Sequence, residues 1–238
     1  MMKNLCFIVF LCLLTACTTR APLPEKIVTS RNPNLATKQI VNTYAPVRQP
    51  DLTKAFTRNG ISYPPRKIAL LTFKEEGKME LWAQGDTQPV WTYIKTYPVM
   101  AHSGSAGPKL EENDMQVPEG IYRITMLNPH SQWHLSMMLN YPNELDRQFA
   151  RQEHRSRLGN NIFIHGKSSS AGCLAIGDDA ITELFILVYQ VGAGNTRVII
   201  APNDLRSKPA VTVLEDQPKW VPKLYAKLTE QLQEFQST

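Results

Sequence analysis

From residue 66 onward, apolar and polar positions fall into short, regular blocks. Ile68-Ala69-Leu70-Leu71-Thr72-Phe73 is a continuous apolar run of strand length, the pattern of a strand buried on both faces. Lys74 to Lys78 is polar and contains Gly77, so it reads as a turn, with Met79 to Trp82 as the return strand of a hairpin. Trp91 to Met100, rich in aromatic and β-branched residues, reads as another strand, and Gly120 to Met126, Gln132 to Met138 and Asn161 to His165 are further strand candidates. Between them, His102 to Asp114 is loop-like around Gly104 and Gly107. Asp178 to Val191 reads as a helix that is apolar nearly all round, hence buried. Asp178 and Asp179 supply an N-cap and first-turn negative charge, and Gly192 and Gly194 stop the helix. Arg197 to Ala201 is a last strand, closed by Pro202. Lys219 to Phe235 places Trp220, Leu224, Leu228 and Leu232 four apart, an amphipathic helix. The expected fold is mainly β with peripheral helices, an α+β domain over residues 66–238.

The preceding segment looks different. Residues 18–65 hold seven of the 17 prolines and seven Lys or Arg against only Glu25 and Asp51. Its apolar periodicity reads as poor, so residues 17–65 are expected to form a basic, proline-rich tether that does not bury enough surface to offset its ordering entropy. The tether either spaces the domain from a membrane or rests on an anionic surface. Composition adds limits. With 42% hydrophobic and 20% charged residues, the 238-residue chain is neither a polytopic membrane protein nor wholly disordered. A formal net charge of +5 is too small to argue for a nucleic-acid partner, and neither zinc-finger spacing nor an RGG tract is present.

The start of the chain reads as a targeting segment, residues 1–16. Leu5 to Leu14 is an apolar run too short to span a bilayer but suited to a signal-peptide core. It ends in Leu14-Thr15-Ala16-Cys17, which resembles a bacterial lipoprotein lipobox. That resemblance implies lipid attachment at Cys17. Thr18 after it implies outer-membrane sorting, hence a periplasmic domain held by a lipid anchor. Cys6 and Cys12 would leave with the signal, so Cys173 is left as a lone thiol in an exported protein. A lone thiol there is either a small buried apolar group or a nucleophile.

The nucleophile reading has local support. His165 ends a strand and is followed by Gly166, Lys167, three serines, Ala171, Gly172 and Cys173. A thiol needs a base to ionise it, and His165 is the base at hand, giving an imidazolium–thiolate pair. Gly172 lets a substrate approach the backbone closely, and the amides of Gly172 and Cys173 can point at a developing oxyanion.

These residues resemble the active site of the YkuD-type L,D-transpeptidases: a His-Gly pair, a loop, then Ser/Thr-x-Gly-Cys. In this sequence those positions are His165-Gly166 and Ser170-Ala171-Gly172-Cys173. Upstream, Gly107-Pro108-Lys109, Asp114 and Gln116 to Tyr122 fit the same family. Trp133-His134-Leu135-Ser136 and Asn140-Tyr141-Pro142-Asn143 are similar to its YafK-like branch, as is the short spacing from His165 to Cys173. The resemblance covers roughly residues 66–205 and implies a YkuD-like β-sandwich or barrel. It implies that Cys173 attacks a peptidoglycan stem, that His165 is the general base and that the Gly166 carbonyl orients it. It further implies an oxyanion hole at Gly172 and Cys173, and a turn supported by Ser170. No metal or cofactor is implied.

Ala171 replaces a second histidine found in many members, and Ala175 replaces an Arg or Asn. These departures leave three readings: an L,D-transpeptidase, a hydrolase that frees a wall-linked outer-membrane lipoprotein with the same residues, and a non-catalytic wall-binding anchor. His134 is a candidate to line the cleft, against a packed or exposed histidine. Arg155, with Arg147, Arg151 and Arg157, is a candidate to grip stem carboxylates, against a solvated helix face. His130 and His134 are four apart, but Ser131 follows the first where a metalloprotease helix carries glutamate, which argues against zinc. Glu119 is read as closing a turn rather than as an acid catalyst.

Overall fold

The computed structural model describes residues 30–86, 89–210 and 217–236. The signal segment and Cys17 lie outside the described residues. Among the described residues, nine strands form one curled sheet in the order β3-β2-β1-β9-β5-β6-β7-β8-β4. They are β1 (Lys67–Phe73), β2 (Lys78–Gln84), β3 (Thr92–Pro98), β4 (Ala101–His102), β5 (Gly120–Asn128), β6 (Ser136–Leu139), β7 (Phe163–His165), β8 (Leu174–Ala175) and β9 (Thr196–Ala201). Four helices pack around them: α1 (Pro33–Arg58), α2 (Glu144–Gln152), α3 (Asp178–Val191) and α4 (Val221–Leu232). The α+β expectation holds, as a single curled sheet between helical layers.

The apolar run at 68–73 is continuous because β1 is covered on both faces. Ile68 and Leu70 join a core with α1 and α3. Ala69, Leu71 and Phe73 join a second core with α4, whose Leu224, Leu228 and Leu232 are buried as their spacing predicts. β1 pairs in parallel with β9, and β7 with β8; the other pairs are antiparallel.

The tether expectation fails over residues 33–58. These form a helix packed on α3, not an extended spacer. Asn32 caps it by accepting from the amides of Asn34 and Leu35, and Pro33 occupies the first turn, where no N–H is needed. Ala36, Ile40, Tyr44, Arg48, Leu52 and Phe56 recur every four residues and are all buried. Pro46 and Pro50 lie inside the helix, where each costs about 3 kcal/mol. A fully buried large apolar side chain contributes about 1.5–3 kcal/mol. Ile40, Val41, Tyr44, Leu52 and Phe56 together therefore outweigh both prolines.

Candidate active site

The site is one face of the strip β4-β8-β7. Ile164 and Leu174 are register partners and both point into the core. Their chain neighbours therefore share the opposite face. Continuing the β4–β8 and β7–β8 registers by one residue brings Ser103 and Phe163 beside Cys173, with His165 two residues farther along β7. The sheet thus assembles the thiol, the imidazole and a serine from three separate stretches of chain.

His165 is almost fully buried, at 3% exposure. Its Nδ1 is 2.7 Å from the Gly166 carbonyl. A carbonyl only accepts, so Nδ1 carries the proton and Nε2 is left as the basic end. The ring also lies against Trp133, with centroids 5.2 Å apart. Burial lowers its pKa, partly offset by the Gly166 carbonyl. Glycine is required at 166 by close approach. A Cβ there would come within 2.6 Å of both the Asp178 carboxylate and the Trp133 carbonyl. Asp178 also accepts the Lys167 amide at 2.7 Å and so pins the loop that follows the histidine. The N-cap residue of α3 is Gly177, so the carboxylate expected as a cap serves the site instead.

Cys173 is half-buried, and its Sγ is held by strand β7. The Phe163 amide donates to it at 3.4 Å, and the Asn161 carbonyl lies 3.9 Å away. Burial raises the thiol pKa, while the Phe163 amide and the nearby Lys109 charge pull it down by less. Both shifts oppose the expected resting imidazolium–thiolate pair. Each shift favours the uncharged form of its group.

The expected oxyanion amides are also engaged. The Cys173 amide donates to Ser170 Oγ at 3.1 Å, and that hydroxyl donates back to the Cys173 carbonyl at 2.6 Å. The Gly172 amide, at a φ of 98° that favours glycine, donates to Ser103 Oγ. Ser170 supports the turn, and both amides meet serine hydroxyls at rest.

His134 and Arg155 are built into the fold. His134 Nε2 is 2.9 Å from Thr182 Oγ1 on α3, and its ring lies against Tyr44 of α1. Burial lowers its pKa. Arg155 donates to the Leu110 carbonyl at 2.6 Å and to Glu153 at 2.8 Å, and it lies over Trp220. His130 turns away from His134, toward the Ser30 carbonyl. Among the described residues no cluster of His, Cys, Asp or Glu is arranged to hold a metal.

The upstream motif residues shape the loop that delivers Ser103 and Lys109. Lys74 is buried and donates to the carbonyls of Gly107 and Val117 and to Glu119 at 2.9, 3.1 and 3.1 Å. Glu119 in turn accepts the Gly107 amide at 2.8 Å and the Tyr225 hydroxyl of α4 at 2.8 Å. The Glu119 carboxylate is therefore a structural anchor that joins distant segments rather than closing a local turn. Burial lowers the Lys74 pKa, partly countered by Glu119. Asp114 accepts the amides of Leu110, Glu111 and Gln116 and pairs with Lys109. Burial pushes its pKa up, but these donors win and hold it below the usual range.

Sequence reasoning did not single out Ser103, Trp133 or Lys109 as site residues. Ser103 emerges only from the β4–β8 register. Trp133 carried one signal, a large aromatic beside His134, and it is 42% exposed.

A family model described as the L,D-transpeptidase catalytic domain, YkuD, matches residues 69–200. YafK of Escherichia coli K12 is 30% identical over 123 residues, 51% of this chain and 47% of YafK. The chain thus spans about half the length of the curated relatives it matches. The helical cell shape determining protein Pgp2 of Campylobacter jejuni superimposes with a TM-score of 0.46 at 20% identity, over 58% of this chain and 48% of Pgp2. Bd1075 of Bdellovibrio bacteriovorus gives 0.42 at 22% identity, over 71% of this chain and 55% of that one.

Proposed function

Because this chain belongs to the L,D-transpeptidase catalytic-domain family, we propose that it acts on peptidoglycan stems through a thioester on Cys173. The observation that carries this reading is His165: its Nδ1 is fixed on the Gly166 carbonyl, and it shares one sheet face with the only described thiol. Burial favours the uncharged form of both groups. Attack of Sγ on the carbonyl of the third stem residue and transfer of its proton to His165 Nε2 occur together. The carbonyl oxygen takes the place of the Ser103 hydroxyl as acceptor of the Gly172 amide. Loss of one such donor costs about 10²–10³-fold in rate. His165 then returns the proton to the departing amine of the terminal D-Ala. An acceptor amine attacks the thioester, gives up a proton to His165 and restores the thiol.

We also propose that the domain lies in the periplasm, held at the outer membrane by a lipid on Cys17, with the residues before α1 as the spacer. Loss of labelled-lipid incorporation in Cys17→Ser tests that placement.

The chain and its Cys173→Ala variant are incubated with sacculi bearing tetrapeptide stems, some with covalently bound lipoprotein, and the products are read by mass spectrometry. New 3–3 crosslinks that need Cys173 support the transpeptidase. Lipoprotein released without new crosslinks shifts the reading to hydrolysis by the same thioester. No product and no acyl adduct on Cys173 leave only a wall-binding anchor.

A further inference from the structure

Away from the thiol, a cleft of about 900 Å³ opens on the outer face of β9, β5 and β6, beside the ends of α2 and α4. On its floor Arg123 and Arg197 are direct register partners on antiparallel strands. Like charges placed opposite each other in that way are destabilising. Around them stand Lys67, Arg147 and Lys227, against the single carboxylate Glu144. Glu144 is taken up by Arg151 at 2.7 Å. Arg197 pairs with Glu234 and lies over Trp91, whereas Arg123, Arg147 and Lys227 are exposed.

A second cleft, of about 510 Å³, shares Pro142 and Arg147 with the first. It is lined by Arg151, Arg155 and Arg157, which pair with Glu144, Glu153 and Glu112. Its far end is lined by Gly159 and Asn160, next to Asn161, whose carbonyl is 3.9 Å from the Cys173 sulfur. The two clefts share a wall and together form one track around α2, from Asn160, one residue before Asn161, to the outer sheet face.

The lining favours a carboxylate-bearing chain over a lipid surface. The track is concave, and none of the exposed large hydrophobic residues, such as Met126 or Trp133, lines it. A bilayer-binding patch is convex or flat and offers apolar groups for insertion. Arginine is also suited to bidentate carboxylate pairing.

We propose that this track binds the free carboxylates of peptide stems adjacent to the one that reacts at Cys173, so that the enzyme grips wall polymer rather than an isolated stem. The inference rests on the peptidoglycan reading above. It is tested with Arg123→Glu combined with Lys227→Glu, two exposed positions far from the thiol. Binding to sacculi is measured by co-sedimentation in the Cys173→Ala background. Acylation by a soluble tetrapeptide stem is measured by mass spectrometry with Cys173 intact.

The expected result is about tenfold or greater loss of sacculus affinity, with unchanged acylation by the soluble stem. Sacculi whose carboxylates have been amidated should bind the unreversed chain as weakly as native sacculi bind the charge-reversed one. Unchanged sacculus binding with acylation intact overturns the track and leaves the thioester reading standing. Charge-sensitive binding to phosphatidylglycerol vesicles, with none of that sensitivity on sacculi, also overturns it and assigns the track to a membrane. Absence of acylation in the unreversed chain, with charge-sensitive sacculus binding retained, instead breaks the thioester reading and supports the track.

Discussion

Helices α1 and α4 cover opposite faces of the same sheet, and each reaches one wall of the catalytic strip through a polar contact. From α4, Tyr225 donates to Glu119, a carboxylate with no solvent exposure that already holds Lys74. That contact steadies the loop carrying Ser103 and Lys109. From α1, Arg48 pairs with Asp179, next to the Asp178 that pins Lys167 after His165. Here the cation is buried, but its partner is half exposed, at 52%. Water shares the load at Asp179 and has no access to Glu119. One wall therefore depends on a closed ionic node, and the other mainly on the packing of α1.

The sharpest break of this contrast is Glu119→Ala. It strands the Lys74 ammonium in the interior and removes an acceptor from Gly107 and Tyr225. Removing one partner of a buried pair costs about 3–5 kcal/mol. The midpoint of urea unfolding should fall accordingly, and acylation of Cys173 should drop with the loosened loop. A loss under about 1 kcal/mol would mean that the Gly107 and Val117 carbonyls suffice for Lys74.

A smaller effect, also on the α4 side, comes through pH. Phe149 of α2 stacks on Trp220, just before α4, with centroids 4.3 Å apart. In the first turn of α2, burial raises the Asp146 pKa to about 6 from 3.8, although the Asn143 amide and the Tyr122 hydroxyl favour its charged form. The folded state therefore binds more protons than the unfolded state between those values. Stability from this group is fully present below pH 3.8 and is lost as pH rises through about 6. The full swing is on the order of 3 kcal/mol. Asp146→Asn, which keeps an acceptor for the Asn143 amide, should flatten unfolding free energy across that window. An unchanged slope would place the titration elsewhere.

Tyr225→Phe is milder still. It removes one donor from Glu119 while Lys74 and the Gly107 amide remain. Hydrogen bonds to charged groups contribute about 1.5–3 kcal/mol, so a loss near the lower end is expected in the same unfolding measurement. A loss as large as that of Glu119→Ala would make Tyr225, not Lys74, the main partner.

The two helices also differ in how legible they are. With Trp220 at its N-cap, α4 presents Leu224, Leu228 and Leu232, an unbroken apolar stripe. α1 has the same four-residue spacing from Ala36 to Phe56, but Arg48 interrupts it, and Pro46 and Pro50 mark it as a non-helix. Propensity therefore misleads where tertiary burial decides. The thiol site divides in the same way. The spacing of His165, Gly166, Gly172 and Cys173 shows in the chain because they are close in sequence. Ser103 does not, because only strand register brings it to Gly172. The direction of both pKa shifts was equally hidden, since it follows from burial, which spacing does not report.

The smallest effect is the most discriminating test of the comparison. Arg48→Met keeps the length and apolar volume of a fully buried side chain and removes its charge. Desolvating a guanidinium is expensive, and an exposed carboxylate repays little of that cost. Asp179, once released, remains hydrated. Replacing such a cation with an apolar side chain of similar volume is often neutral or stabilising. Arg48→Met is therefore expected to change unfolding free energy by less than about 1 kcal/mol, with the Asp178–Lys167 contact and Cys173 acylation preserved. A loss of about 3 kcal/mol or more would show that α1, like α4, supports its wall through a closed ionic node, and the contrast between the two helices would disappear.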